Sequence, residues 1–125
     1  MSKFIHKLPD GELEVMQAVW ACSSPCTRKE ISSVLFPDHK MAETTLLTIL
    51  SRLSEKGFLE IRKTGRNSTY SPLVSQDDYL ASQSKRFLYK LCGGKISTLA
   101  SALCSSGLTH EELAELRSLL ERDEL

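Results

Sequence analysis

The sequence lacks the features that mark membrane and secreted proteins. No apolar run approaches the roughly 20 residues that a membrane-spanning helix needs. The N-terminus has no apolar stretch followed by a cleavage site. Because 41% of the residues are hydrophobic and 26% are charged, the composition is typical of a globular domain. We therefore expect a cytoplasmic protein with no membrane partner.

Motifs for catalysis and metal binding are also missing. The histidines His6, His39 and His110 stand far apart, and no complete glycine-rich phosphate loop occurs. Cys22 and Cys26 have no nearby His pair or second Cys pair, so they do not match a structural zinc site. We expect a protein that is not an enzyme and has no cofactor or bound metal. The cysteines are then reduced thiols, although Cys22 and Cys26 could instead form a redox or thiophilic-metal sensor.

The chain has no excess of charge of either sign, which is unusual for a protein that binds nucleic acid. Residues 1–75 hold ten Lys and Arg against eight Asp and Glu, whereas residues 76–125 hold six against eight. The first part is therefore slightly basic. In a protein that binds nucleic acid, a local basic surface suffices for phosphate contacts. With so small a charge excess, we expect one copy of such a protein to bind nucleic acid with moderate affinity and two copies to act together.

The most informative segment is residues 42–56, which Gly57 closes. Four apolar residues recur there at helical spacing and predict a buried stripe: Leu46, Ile49, Leu50 and Leu53. The opposite side has short hydroxyls and two cations: Thr44, Thr45, Thr48, Ser51, Arg52 and Lys56. Small polar side chains allow a helix to lie deep in a DNA major groove. An ordinary amphipathic surface helix has the same pattern, so the flanking sequence must decide.

Two helices are predicted before this segment. The first begins with Asp10 as N-cap, ends near Cys22, and has core residues at helical spacing: Leu13, Met16, Val19 and Trp20. Thr27 and Glu30 form a capping box that starts a second, short helix. This helix passes through Ile31, Val34 and Leu35 and stops at Phe36-Pro37. Together with residues 42–56 it follows the helix-turn-helix plan.

After Gly57 the pattern changes from helical to alternating. Residues 58–62 and 68–71 are predicted strands, joined by a turn at residues 63–67. A hairpin directly after a helix-turn-helix makes a winged helix. The tip of this wing can reach phosphates or a minor groove through four side chains: Arg62, Lys63, Arg66 and Asn67.

The last third of the chain is helical and rich in leucine. A long helix from Gln76 or Asp77 ends at Gly93-Gly94, a shorter one ends before Gly107, and a capping box at Thr109 starts a third. These short helices have little of their own chain to cover them, so a second copy is the simplest cover. The expected dimerisation residues are Leu80, Phe87, Leu88, Leu91, Ile96, Leu99, Leu103, Leu113, Leu116 and Leu120.

The predicted fold class is therefore mainly α with a small β-hairpin wing. Residues 1–74 form an N-terminal winged helix-turn-helix domain that binds DNA, and residues 75–125 form a C-terminal helical dimerisation region. The predicted DNA-binding residues are those of the third helix and the wing: Thr44, Thr45, Thr48, Arg52, Lys56, Arg62, Lys63, Arg66 and Asn67.

Several blocks of the sequence resemble the BlaI/MecI-type repressors, which are penicillinase and methicillin-resistance repressors with copper-responsive relatives. The N-terminal blocks are residues 13–16 with Val19-Trp20, Thr44-Thr45 with Thr48, and residues 51–53. Further blocks are residues 56–58, Gly65-Arg66, residues 70–73, Gly93-Gly94, Leu108-Thr109, Glu112-Leu113 and Glu115-Leu116. They keep their spacing over almost the whole chain.

The resemblance implies a homodimeric repressor on a palindromic double-stranded DNA operator, with Thr44, Thr45, Thr48, Arg52 and Arg66 facing the DNA. It also implies a regulatory protease as a partner, because family members are typically released by cleavage within the penultimate helix.

Two features depart from the family pattern, and the C-terminal end differs from that of the copper-responsive branch. Ser101-Ala102 replaces the Asn-Phe pair at which the best-known relatives are cleaved, and Leu47 stands where relatives usually place a basic residue. The chain ends in Arg122-Asp123-Glu124-Leu125 without the Cys-x-Cys motifs of the copper-responsive branch.

Two alternatives to this repressor stay open at the sequence level. The first is a winged-helix module that has lost DNA binding and docks proteins, which the zero net charge and Leu47 favour. The second is a thiol- or metal-responsive repressor that uses Cys22 and Cys26.

Overall fold

The computed structural model describes residues 5–35 and 41–121, which contain six α-helices and three short β-strands. The helices are α1 (Asp10–Ala21), α2 (Arg28–Leu35), α3 (Glu43–Glu55), α4 (Gln76–Leu91), α5 (Ile96–Ser105) and α6 (His110–Glu121). The strands are β1 (Cys26–Thr27), β2 (Leu59–Thr64) and β3 (Asn67–Pro72). The predicted class, mainly α with a small β wing, is confirmed. The expected helix stop at Phe36-Pro37, His39 and the last four residues lie outside the described residues.

The ends of α1 and α2 follow from local hydrogen bonding. Asp10 is the first helical residue of α1 and Pro9 the N-cap, so the prediction of Asp10 as N-cap was wrong by one position. Proline suits this position because its missing N–H has no helical partner to lose. The capping box of α2 is confirmed: Thr27 N donates to Glu30 Oε1 at 2.8 Å, and Glu30 N donates to Thr27 Oγ1 at 3.2 Å.

The third helix buries the stripe that its sequence predicts. Leu46, Leu50 and Leu53 are at most 2% exposed, and Ile49 is 8% exposed. Gly57 follows with φ of +83°, a backbone conformation in which glycine has no steric penalty. In α2, Ile31 and Leu35 are buried as expected, but Val34 is exposed because a short helix offers only one face to the core.

The sheet is antiparallel with strand order β1-β3-β2. The wing hairpin has a continuous register from Leu59 opposite Pro72 to Thr64 opposite Asn67. Its turn is therefore Gly65-Arg66 alone, shorter than the predicted five-residue turn. Strand β1 was not predicted; Cys26 and Thr27 pair with Tyr70 and Thr69, and Cys26 Sγ lies 3.4 Å from the Tyr70 carbonyl oxygen.

The chain divides into two compact units, Met1–Ser82 and Gln83–Leu125, with the division inside α4. The expected domain boundary at residue 74 precedes the first turns of α4. Those turns are fixed within the first unit, since Tyr79 Oη accepts a hydrogen bond from Leu8 N at 2.9 Å. Just before them, the Val74 carbonyl accepts one from Trp20 Nε1 at 2.9 Å. Among the described residues, 16 of the 17 buried hydrophobic side chains belong to this unit, which therefore holds the core.

The second unit consists of the rest of α4 with α5 and α6. The predicted helices are confirmed, and so is the second capping box, in which Thr109 and Glu112 exchange hydrogen bonds of 2.9 and 3.1 Å. In the described residues 83–121, Cys92 is buried, whereas no residue of α5 or α6 is. A single copy of this unit therefore lacks a hydrophobic core comparable to that of the first.

Candidate nucleic-acid interface

The hydroxyl side of α3 is exposed to solvent along the length of the helix. Thr44, Thr45, Thr48, Ser51 and Arg52 are all exposed, opposite the buried leucine stripe. The free energy that fixes the helix comes from the buried stripe, so the exposed side is available for contacts outside the protein. This arrangement is the one that a recognition helix requires.

One of these hydroxyl groups already donates its hydrogen within the helix. Thr48 Oγ1 donates to the Thr44 carbonyl oxygen at 2.9 Å. The Thr48 side chain therefore offers its methyl group and the lone pairs of its oxygen to a ligand, but no free hydrogen-bond donor. On a base-pair edge it could contact a thymine methyl or accept from an exocyclic amine.

The wing presents its cations at and near the two-residue turn. Lys63, Arg66 and Asn67 are exposed, and Gly65 holds φ of +65° at the turn. Arg62 is exposed as well, but its Nε donates to Glu60 Oε1 at 3.1 Å. Such a solvent-exposed pair contributes little and exchanges easily for a phosphate. Arg62 and Lys63, as neighbours on a strand, lie on opposite faces of the hairpin.

A groove joins α2, α3 and the wing on this side of the first unit. It is lined by Thr27, Arg28, Lys29, Leu47, Arg66, Asn67, Ser68 and Tyr70. Arg28 also pairs with Glu43 at the start of α3, with Nη1 2.8 Å from Oε1. The groove thus collects three cations from two elements that are far apart in sequence.

Arg28, Lys29 and Leu47 were not among the predicted DNA-facing residues. The adjacent Arg28-Lys29 pair in the capping box was a visible signal, because α2 precedes a candidate recognition helix. Leu47 was singled out in the sequence only as a departure from the family pattern, since its place in the groove depends on the position of the wing.

Lys56, which was predicted to contact DNA, forms an ion pair within the first unit. Its ammonium group donates to Glu12 Oε1 of α1, and the Glu12 side chain is only 9% exposed. A buried carboxylate needs a charge partner. Lys56 therefore neutralises Glu12, and its contact with DNA stays a prediction with which this ion pair competes.

The cysteines do not have the properties of a reactive pair. Burial, followed by the effect of the neighbouring Cys22, raises the pKa of the Cys26 thiol to about 12. Burial also raises the pKa of Cys22. Since the thiolate is the reactive and metal-binding form, both side chains are held in their unreactive state. Among the described residues no group of three His, Cys, Asp or Glu side chains could hold a metal ion.

The predicted dimerisation residues divide by exposure. Leu80 of the first unit is 54% exposed, and the exposed ones in the second unit are Phe87, Leu91, Ile96, Leu116 and Leu120. Leu88, Leu99, Leu103 and Leu113 are half-buried.

Within the described chain, no helix is both long enough and apolar enough to span a membrane.

Comparison with known proteins finds a family whose members are similar to this chain. The family model for the penicillinase repressor matches residues 8–122. The chain is 34% identical over 120 residues to the penicillinase repressor of Bacillus licheniformis, covering 95% of this chain and 93% of that one. It is 26% identical over 123 residues to the methicillin resistance regulatory protein MecI of Mammaliicoccus sciuri, covering 98% and 99%.

Two solved structures match part of the chain. One is the monomeric form of Bacillus licheniformis BlaI in complex with the blaP half-operator, with 35% identity and a TM-score of 0.51. The other is the DNA-binding domain of the repressor BlaI, with 34% identity and a TM-score of 0.52. Each alignment covers 63% of this chain and 94% of the solved one.

Proposed function

The chain belongs to the penicillinase repressor family, and from this premise we propose that it is a sequence-specific transcriptional repressor that binds a palindromic operator as a homodimer. The observation that carries the proposal is the exposed hydroxyl side of α3 beside the cations of the wing. A relative that was solved in complex with a half-operator aligns with 63% of this chain and supports the proposal. Such a repressor blocks transcription by occupying promoter DNA and needs no catalytic group.

Two groups of residues divide the work of binding in this proposal. Thr44, Thr45 and Thr48 read base edges, because short hydroxyl and methyl groups reach the floor of the major groove. The charged and amide side chains near these threonines contact phosphates. They are Arg52 on α3 and Arg62, Lys63, Arg66 and Asn67 on the wing. The phosphate contacts set the affinity and its salt dependence.

The homodimer is supported by the second unit. Leu91 and Ile96 are 67% and 65% exposed, and no residue of α5 or α6 is buried within the described residues 83–121. Exposed apolar surface of this kind marks an interface. A second copy provides an identical apolar surface, and a two-fold dimer matches the symmetry of a palindrome.

The binding test selects the operator itself from a random pool of DNA duplexes. Duplexes that the full-length protein retains are sequenced, and the affinity for the selected duplex is measured at several salt concentrations. We expect a palindromic site, at least 1,000-fold tighter binding than to random duplex, and a logarithmic salt slope that Arg66→Ala reduces by about one unit. Arg117→Ala, which removes an exposed cation of α6, is the matched control and should leave the slope unchanged.

Failure would have a distinct signature. A pool that yields no preferred sequence and no salt-sensitive binding would rule out the repressor and favour the protein-docking module. A preferred sequence without two-fold symmetry would retain DNA binding but exclude the symmetric dimer.

We further propose that release from DNA, if proteolytic, occurs in α5. This is the penultimate helix, and Ser101 and Ala102 are exposed on it. A cut there separates α6 from the rest of the second unit and removes part of the proposed dimer interface. Mass spectrometry of the protein recovered from induced cells would locate such a cut; an intact chain that has left the operator would exclude this route.

A further inference from the structure

Leu47 is a large apolar side chain on a surface that is otherwise polar. It is 42% exposed, and within α3 no other large hydrophobic residue is exposed. Its neighbours along the helix, three residues before and four residues after, are Thr44 and Ser51. Both are shorter than leucine, so Leu47 projects beyond them at the edge of the hydroxyl side, next to the buried stripe that contains Leu50.

Leu47 also lies near basic side chains of the first unit. It lines the same groove as Arg28, Lys29 and Arg66. These cations can contact phosphates of the DNA backbone, which would place Leu47 close to the edges of the bases in the same groove. A leucine can neither pair with a phosphate nor form a hydrogen bond to a base. The favourable contact left to it in a major groove is with an apolar group, and an unmodified base pair offers one such group there, the C5-methyl of thymine.

We infer that Leu47 selects a thymine in each half-site by packing against its C5-methyl group. This inference rests on the proposed function and extends it to a residue that determines specificity. Thr48, the next residue, points in a different direction from the helix and offers a methyl group rather than a free donor, so Leu47 is proposed to contact its thymine independently of Thr48. The expected operator has a thymine at a fixed place in each half-site.

The size of the effect follows from the area of one methyl group. Removing a methyl from water is worth enough to change an affinity about fourfold. When both half-sites of a palindrome lose the methyl, the effects multiply to about 15-fold. Replacing thymine with deoxyuridine removes this methyl and leaves the base-pairing edge unchanged.

The experiment uses the full-length protein and the duplex selected from the random pool. Each thymine and its symmetry mate is replaced by deoxyuridine in turn, and the dissociation constant is measured for the wild type, Leu47→Ala and Leu73→Ala. Leu73 is 59% exposed but lies outside α3, so Leu73→Ala controls for the loss of an exposed leucine. Because Leu47 is exposed and alanine favours helix, Leu47→Ala should fold normally, which circular dichroism checks.

We expect one symmetric pair of thymines at which deoxyuridine weakens binding of the wild type and of Leu73→Ala about 15-fold, but leaves Leu47→Ala within twofold. Equal losses for wild type and Leu47→Ala, no loss at any position, or a selected site without thymine would each overturn the inference. In all three cases the selected duplex still binds, so the proposed repressor survives. Failure to select any duplex would overturn both.

Discussion

The two units of this chain use leucine-rich helices in opposite ways. In the first unit the leucines of α3 are at most 2% exposed, with the exception of Leu47, and they belong to a core that includes Tyr79 and against which Trp20 packs. In the second unit α5 and α6 have similar apolar stripes, yet none of their residues is buried in the described chain. The same periodicity therefore predicts a core in one place and an interface in the other. Whether the leucines are covered within one copy distinguishes the two.

The largest effect on stability is expected when a buried leucine of the first unit is compared with an exposed leucine of the second. Leu53→Ala should lower the free energy of unfolding by roughly 2–5 kcal/mol, because Leu53 is completely buried and the change leaves a cavity. Leu116→Ala in α6, where the side chain is 37% exposed, should cost much less in a dilute sample. Urea denaturation at two protein concentrations measures both. A concentration-dependent loss for Leu53→Ala, or an equal loss for both variants, would contradict the contrast.

A charge placed on the second unit tests the proposed interface. If Leu91 lies in the proposed interface, Leu91→Asp puts a carboxylate there on each copy, and we expect the dimer to weaken by about 100-fold or more. Sedimentation velocity over a range of concentrations gives the dissociation constant. Leu73→Asp is the control, since Leu73 has a similar exposure of 59% in the first unit. Dimerisation that Leu91→Asp leaves intact would show that the exposed leucines have another role.

Breaking the ion pair between Lys56 and Glu12 should have a smaller effect on the free energy of unfolding. Lys56→Met leaves the buried Glu12 carboxylate without its partner, and the free energy of unfolding should fall by about 1–3 kcal/mol. Adding Glu12→Gln to Lys56→Met should recover part of this loss. Because the ammonium of Lys56 is engaged with Glu12, the salt slope of DNA binding should stay the same. If the salt slope of Lys56→Met decreased by one unit, as expected for Arg66→Ala, Lys56 would be shown to contact a phosphate.

The smallest effect is expected at Thr48, whose methyl group is proposed to contact a base. Thr48→Ala removes one methyl contact in each half-site, so the ratio of specific to random-duplex affinity should fall by about 15-fold for the homodimer. Thr48→Val keeps the methyl and removes a hydroxyl whose hydrogen is already donated to Thr44, so it should stay within twofold of the wild type if the methyl is what reads the base. A greater loss for Thr48→Val than for Thr48→Ala would show that the hydroxyl oxygen is read instead.

The sequence predicted the features whose causes are local. Both capping boxes join residues three positions apart, and the leucine stripe of α3 repeats within a few turns, so each could be read from a short segment. The features that were missed depend on distant parts of the chain. Strand β1 exists through its pairing with β3, more than 40 residues away, and Lys56 meets Glu12 across 44 positions. Leu47 belongs to the groove because the wing folds back beside α3.

The two-residue turn at Gly65-Arg66 restricts how this wing can change in length. Side chains alternate between the faces of a hairpin, so an insertion of one residue in each strand would reverse the direction of the side chains beyond it. An insertion of two residues in each strand preserves every face and extends the tip by about 7 Å. Relatives with longer or shorter wings should therefore differ by even numbers of residues per strand, and an engineered wing that is to reach a further phosphate should follow the same rule.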